Sequence, residues 1–334
     1  MPPTPARLHA VALALLALVL ASAASATEDE LFYTFNQSPL VQIYGLPAMG
    51  SAVVLAPGQR RFQVAYEIAN TLIAESRRDE FLVLDGESRR LTMRFAFSPR
   101  PGTELGLEVP YVSYDGGFLD SFIENWHNAF GLPNGDRDRF PQDSLTYYYR
   151  RGSEALVDIT TPASGIGDFR LTGAHQLVID PRASNVTLRA SLKLPTGDAE
   201  ELLGSGAADL AVWLVAGCGR ERCGEVGWQA GGGVLWLGKG ELLPDQQYRL
   251  VAFGSAGAEW RALPAIALKA QLNAHTPFYS QTDLTPLGDV SIQVVLGGTW
   301  TVSRRLALDL GVTEDLLVHT APDVSFLVAL RTYF

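Results

Sequence analysis

Cysteine is almost absent: the 334 residues hold two, too few for a disulfide scaffold or a four-cysteine zinc site. Lysine is nearly as rare, at Lys193, Lys239 and Lys269 alone. With 26 Lys+Arg against 36 Asp+Glu the formal net charge is −10. No basic cluster sits beside an aromatic base-reading motif, which argues against a nucleic-acid partner. Charged residues make up only 19%, so the chain is too apolar to remain disordered. Beyond residue 20 no apolar run is long enough for a membrane helix. No motif holds Ser/His or His/Asp together for acyl chemistry, and no catalytic residue, cofactor or metal is expected.

What is present begins with an address. Arg7 precedes an apolar run over 10–20, and Ala24-Ser25-Ala26 gives a small-x-small cleavage site before Thr27. This is the layout of a secretory signal peptide over 1–26. Eleven helical residues rise about 16 Å, too little to cross a bilayer. Export permits a disulfide, and Cys218 and Cys223 flank a short loop that suits a hairpin turn, so the two are expected to pair.

The rest of the chain alternates apolar and polar residues with period two, in segments of about ten residues punctuated by Gly, Pro, Asn and Asp. Phe62, Val64, Tyr66 and Ile68 share one face, as do Leu91, Met93, Phe95 and Phe97, and Leu105, Leu107 and Val109. A β-sandwich or a membrane barrel gives this pattern. Three features favour the barrel. Connections alternate short and long. Aromatic residues (Tyr111, Tyr114, Trp228, Trp236, Tyr248, Trp260, Trp300) gather near strand ends, as interface girdles do. The last segment ends on Phe334, which looks like the sorting signal read by the outer-membrane assembly machinery. The expectation is an all-β transmembrane antiparallel barrel of about twelve strands over 58–334, in the bacterial outer membrane and bathed in its lipid. The strands fall near 60–74, 80–97, 103–113, 168–179, 185–195, 208–217, 225–237, 247–259, 262–274, 289–301, 305–314 and 323–334. Residues 27–57 precede the first strand. Leu31, Phe32, Tyr33 and Phe35 favour burial of this segment as a lumen plug over a free periplasmic tail.

If the apolar sets face lipid, the other parity faces the lumen. The expected pore-lining set is Glu67, Arg90, Arg94, Glu104, Glu108, Arg170, Arg189, Lys193, Lys269 and Asp309, with Arg331 of the same parity. Both signs occur, and Arg94 faces the strand that carries Glu104 and Glu108. A lumen closed by salt bridges, with no transport, is the rival reading.

The connection over 115–167 is too long for a simple loop. Within it Phe118, Leu119, Phe122, Ile123, Trp126 and Phe130 recur at helical spacing, stopped by Gly131 and Pro133. A short amphipathic helix of this kind can lie on the membrane interface, pack on the barrel rim, cap the mouth or fold inward. Phe118, Phe122, Trp126 and Phe130 are the candidate gate and solute contacts. Asp136 and Asp138 lack the remaining ligands of a calcium loop. Glu124 and His127 sit three apart on the helix, and a solvated face explains them as well as a site does. His175 shares parity with apolar residues, and His275 and His319 fall in outer loops, so a lipid-modifying enzyme has no motif behind it.

Asn36-Gln37-Ser38-Pro39-Leu40, followed by Tyr44-Gly45-Leu46-Pro47, resembles the start of a bacterial outer-membrane family, domain of unknown function 3187. The resemblance continues at Leu119-Asp120, Ile123-Glu124, Trp126-His127 and Phe130-Gly131-Leu132-Pro133. Gly165-Ile166-Gly167-Asp168 and Leu192-Lys193-Leu194-Pro195-Thr196-Gly197-Asp198 are similar to motifs in outer-membrane transporters linked to aromatic-compound degradation, although turn chemistry alone would justify them. The resemblance implies a barrel and transport, and it carries no substrate and no catalytic residue. The function expected is a passive channel for small hydrophobic or amphiphilic solutes. The alternatives are a closed structural or surface-interaction barrel and, third, a lipid-modifying enzyme.

Overall fold

The computed structural model describes residues 30–130, 140–178, 184–218, 223–317 and 319–334, with backbone alone over 126–130. The signal peptide expected over 1–26 and the aspartates 136 and 138 lie outside the described residues.

Alternation becomes strand wherever it was read. β1 (Arg60–Arg77), β2 (Glu80–Arg100) and β3 (Thr103–Asp115) form the first meander. After the long outer connection come β4 (Thr146–Arg151), β5 (Glu154–Ile159), β6 (Ala163–Ile166) and β7 (Arg170–Val178). A regular meander follows: β8 (Asn185–Lys193), β9 (Asp209–Cys218), β10 (Val226–Leu237), β11 (Leu250–Leu263), β12 (Ile266–His275), β13 (Ser291–Thr301), β14 (Leu306–Asp315) and β15 (Val324–Tyr333). β1 pairs with β15 as well as with β2, from Arg61 opposite Tyr333 to Asn70 opposite Val324, and this closes the sheet into a twelve-strand antiparallel barrel. Closure pairs each of the twelve wall strands on both sides, which is how a β structure satisfies its backbone in lipid.

Three strands stand outside the alternation as read. The β4–β5 hairpin pairs with the outer end of β2, from Glu80 opposite Arg151 to Asp85 opposite Thr146. β6 pairs with the outer end of β3 at Tyr111–Tyr114, and β7 takes over on Thr103–Glu108. β6 and β7 are thus one wall strand interrupted at 167–169, opposite Val109 and Pro110. Pro110 has no N–H to give the ladder there. The turn expected near 261–264 falls at Pro264-Ala265, after a register shift between Trp260 and Leu263. At the same end Cys218 and Cys223 are joined in a disulfide, Cα–Cα 6.0 Å, in the β9–β10 turn.

The outer face carries Tyr66, Met93, Phe95, Leu105, Leu107, Leu214, Leu272, Leu296, Leu310, Val328 and Leu330, all exposed. Trp228, Trp236, Trp260 and Trp300 stand exposed near strand ends. Apolar surface of this extent facing outward is what a hydrocarbon surround demands.

The long connection holds a helix, α1 (Asp120–Phe130), starting two residues later than the spacing predicts. Glu87 takes the backbone N–H of Phe118 (2.7 Å) and that of Leu119, and Asp120 accepts from Asn70 Nδ2 at 2.9 Å. Leu119 and Ile123 pack with Ile68, Val324 and Phe326. Ile68 and Phe326 have the parity of the lipid-facing Tyr66 and Val328. α1 therefore leans on the outer wall over β1 and β15, at the rim, and does not enter the lumen. A second, single-turn helix, α2 (Thr285–Gly288), lies in the β12–β13 connection.

Candidate lumen site

Inward parity places Glu67, Arg90, Glu104, Glu108, Arg170, Arg189, Lys193, Lys269, Asp309 and Arg331 inside the barrel, all buried, with Arg94 half-buried beside them. Residues 30–55, which thread the lumen, cover most of the buried ten, and the β8–β9 loop covers Lys193. Among the described residues the threading segment pairs with no strand; side-chain hydrogen bonds hold it from all round the wall. β12 supplies Gln271 Oε1 to the Phe32 N–H at 2.8 Å. β1 supplies Glu67 Oε1, which accepts from Thr34 Oγ1 at 2.6 Å. Asn36 Nδ2 lies 2.9 Å from His275 Nε2 and donates to the Thr320 carbonyl at 3.0 Å. Arg170 donates to the carbonyls of Tyr44 and Leu46, Trp213 Nε1 to Met49, Arg189 Nε to Ser51, and Thr187 Oγ1 to Ala52. Glu104 Oε2 accepts the Leu55 N–H at 3.1 Å.

Two close approaches explain glycines in this contact. A Cβ on Gly45 would stand 2.8 Å from Cβ of Asp209, whose Oδ2 accepts the Gly45 N–H. A Cβ on Gly257 would stand 2.7 Å from Leu31 Cδ2. The first belongs to the Tyr44-Gly45-Leu46-Pro47 motif and the second to the wall.

The charges form chains rather than isolated pairs. Arg94 Nε donates to Glu108 Oε1 at 2.9 Å, the cross-strand pairing the alternation places opposite. Arg61 bridges Glu30 (3.1 Å) and Glu104 (3.2 Å), and Arg331 bridges Glu30 (3.3 Å) and Asp309 (3.0 Å). Burial alone would raise the Glu30 carboxyl, but the Arg61 and Arg331 guanidiniums outweigh it and hold the group at about 2. Cations also lie over rings of the segment. Arg94 Cζ is 3.8 Å from the Tyr33 centroid, and Arg170 and Arg90 are 4.9 and 5.3 Å from that of Phe35.

Lys193 belongs to a separate cluster at the outer rim. Its Nζ donates to Asp168, to Ser205 Oγ and to the Ala207 carbonyl, and lies 3.3 Å from Asp209 Oδ2. Asp168 also accepts the N–H groups of Thr196, Gly197 and Ser205. The Gly165–Asp168 and Leu192–Asp198 motifs meet in this knot, across the break between β6 and β7.

Of the candidate gate aromatics, Phe118 and Phe122 are exposed on the outer side; Phe122 packs edge-on against Phe326 at 6.1 Å. Neither reaches the lumen, because Leu119, Phe122 and Ile123 pack on the outer-wall strip at Ile68, Val324 and Phe326. The side chains of Trp126, His127 and Phe130 lie outside the described residues. Glu124 accepts from Gln142 Nε2 at 2.9 Å. His175 is exposed on the outer face. His275 corrects the outer-loop expectation: it ends β12 and is buried against Asn36.

Arg61, Trp213 and Gln271 were missed as lumen residues. Arg61 shares parity with Gln63 and Glu67, so period two could have found it. Trp213 could not be found this way, because β9 is apolar on both faces, with Ala211, Trp213 and Val215 turned inward and buried.

The outer loops continue the filled interior. Leu82, Leu84, Tyr147, Tyr149, Leu243, Phe278 and Tyr279 form one buried apolar cluster with Leu40, Val41 and Tyr44. Between the N-terminal segment and the wall lie small cavities of about 30 and about 20 Å³.

No curated protein matches the chain. The solved COG4313 outer membrane channel from Pseudomonas putida F1 is similar in fold, with TM-score 0.53 and 13% identity over 84% of this chain and 97% of that one. The P. putida toluene transporter TodX gives TM-score 0.41 and 14% identity over 84% and 91%. The model of the family described as "Protein of unknown function (DUF3187)" matches residues 8–334. This twelve-strand barrel of outer-membrane type therefore belongs to the DUF3187 family.

Proposed function

We propose that the protein is a passive outer-membrane channel for small hydrophobic or amphiphilic solutes, with residues 30–55 as a displaceable plug. One observation carries this reading: a polar, charged inner wall is occupied by a segment that makes side-chain hydrogen bonds to it but joins no strand. The channel names carried by COG4313 and TodX belong to those proteins, and they agree with the proposal. Glu67, Arg90, Arg94, Glu104, Glu108, Arg170, Arg189, Lys193, Lys269 and Asp309 are the proposed path lining. Phe118 and Phe122 are proposed as solute contacts on the outer rim instead of a gate across the mouth. Surrounding lipid is the barrel's solvent, and Phe334 is the proposed contact to the assembly machinery after export.

A closed structural barrel is the second reading, favoured by the continuous filling of the interior. Liposome uptake separates the two. The channel admits small solutes into vesicles holding the folded protein, and faster once the plug is removed; the closed barrel admits none in either form.

A further inference from the structure

The larger cavity lies between the plug at Pro47–Gly50 and the wall of β1, β2, β3, β7, β8 and β9. Its charged lining is Arg61, Arg94, Arg170, Arg189, Glu104 and Glu108, four guanidiniums against two carboxylates. Arg61 is tied to Glu30 and Glu104. The unmet donors lie on Arg170 and Arg189. Among the described residues, buried Arg170 donates only to two backbone carbonyls and its Nε has no hydrogen-bond partner. Arg189 is buried with Nε on the Ser51 carbonyl and Nη1 3.5 Å from Glu104, and its Nη2 has no hydrogen-bond partner among the described residues. A buried guanidinium without its acceptors is costly, and an anion that enters the cavity supplies them.

We propose that Arg170 and Arg189, with Arg94 and Arg61 beside them, form a carboxylate-binding site in the lumen, and that the solutes admitted are small aromatic carboxylates. The room of about 30 Å³ suits a carboxylate headgroup and no more, about two waters' worth. The aromatic body follows from what the plug presents to the same wall. It lays Tyr33 over Arg94 and Phe35 over Arg170 and Arg90, and it brings the Glu30 carboxylate to Arg61. An aromatic carboxylate offers these guanidiniums a ring and a carboxylate in one molecule, and Trp213 lines the same cavity. It competes with the plug group for group. The solute assignment rests on the channel reading above, whereas the binding site does not.

The test is calorimetric titration of the full folded chain in detergent with benzoate and, separately, with benzyl alcohol, which keeps the ring and loses the charge. Saturable benzoate binding at least roughly tenfold tighter than benzyl alcohol is expected, because charge-assisted hydrogen bonds are the stronger kind. Arg170→Gln and Arg189→Gln are each expected to weaken benzoate roughly tenfold. Equal affinity for the two probes, or no saturable benzoate binding, overturns the site. Should either variant fail to fold, the two probes on the unaltered protein decide alone. Liposome uptake of both probes isolates the channel reading: benzoate bound with neither probe admitted removes the channel and keeps the site. Uptake indifferent to charge, with equal binding, removes the site and keeps the channel.

Discussion

The Tyr33 hydroxyl donates to Glu108 Oε2 at 2.9 Å, while Glu108 Oε1 accepts from Arg94 Nε at the same distance. One plug residue is thereby tied to an ion pair that β2 and β3 make across the inner wall. Arg94 also lies over the Tyr33 ring, so a single side chain answers both the charge and the ring. Tyr33→Phe keeps the ring and removes the hydrogen bond. It is expected to cost about 1.5–3 kcal/mol, the range for a hydrogen bond to a charged group. A lowered urea midpoint with an unchanged slope checks it.

Acid should loosen the plug at Glu30. Its carboxyl is held at about 2 when seated, against 4.5 as an ordinary glutamate. A depressed value means the stabilisation is full above about 4.5 and is lost as the pH falls toward 2. The stabilisation owed to Glu30 is therefore expected to hold down to about pH 5 and to fade below 4.5, read as a rise in channel conductance over that acid range. In Glu30→Gln the plug is loose at neutral pH already, and the part of the acid step owed to this group disappears.

Asp168→Ala removes the partner of Lys193 and the acceptor for three backbone N–H groups of the β8–β9 loop. Asp209 remains near Lys193, so the expected cost is about 3 kcal/mol, at the low end for breaking a buried pair. Proteinase K is expected to cut within 198–206 in the variant and to spare the parent.

The twelve wall strands were legible because a wall between lipid and a polar lumen forces period two on nearly every strand. Arg94 opposite Glu108 follows from that period and one turn. β6 was not legible as a strand of its own. Gly165, Gly167 and Asp168 read as turn chemistry, and only the pairing with β3 shows that the wall continues through them. The β4–β5 hairpin was hidden for a related reason: Tyr147-Tyr148-Tyr149 alternates too briefly to stand out. Spacing gave α1 an apolar face but not what that face meets, since Ile68 and Phe326 are distant in sequence and only closure of the barrel sets them side by side. The plug's contacts were invisible for the same reason. Arg170, Trp213 and Gln271 meet residues 32–49 only through the fold.

The lipid-facing parity makes its own prediction. Leu296 is exposed on β13 near mid-strand, between inward Val295 and the close-packed Gly297. Leu296→Arg is expected to cost about 2–4 kcal/mol in a bilayer, as a charge near the midplane of a barrel does. Equilibrium unfolding from phospholipid vesicles measures it, and a negligible cost would place this face in water.

The most direct test of the central claim is single-channel conductance in a planar bilayer, recorded for the full chain and for a variant lacking residues 30–55. Both must first show the heat-dependent gel shift of a folded barrel. The account predicts small or rare steps from the full chain and large, steady ones from the variant. A folded variant that carries no current would contradict it and leave the barrel a closed scaffold.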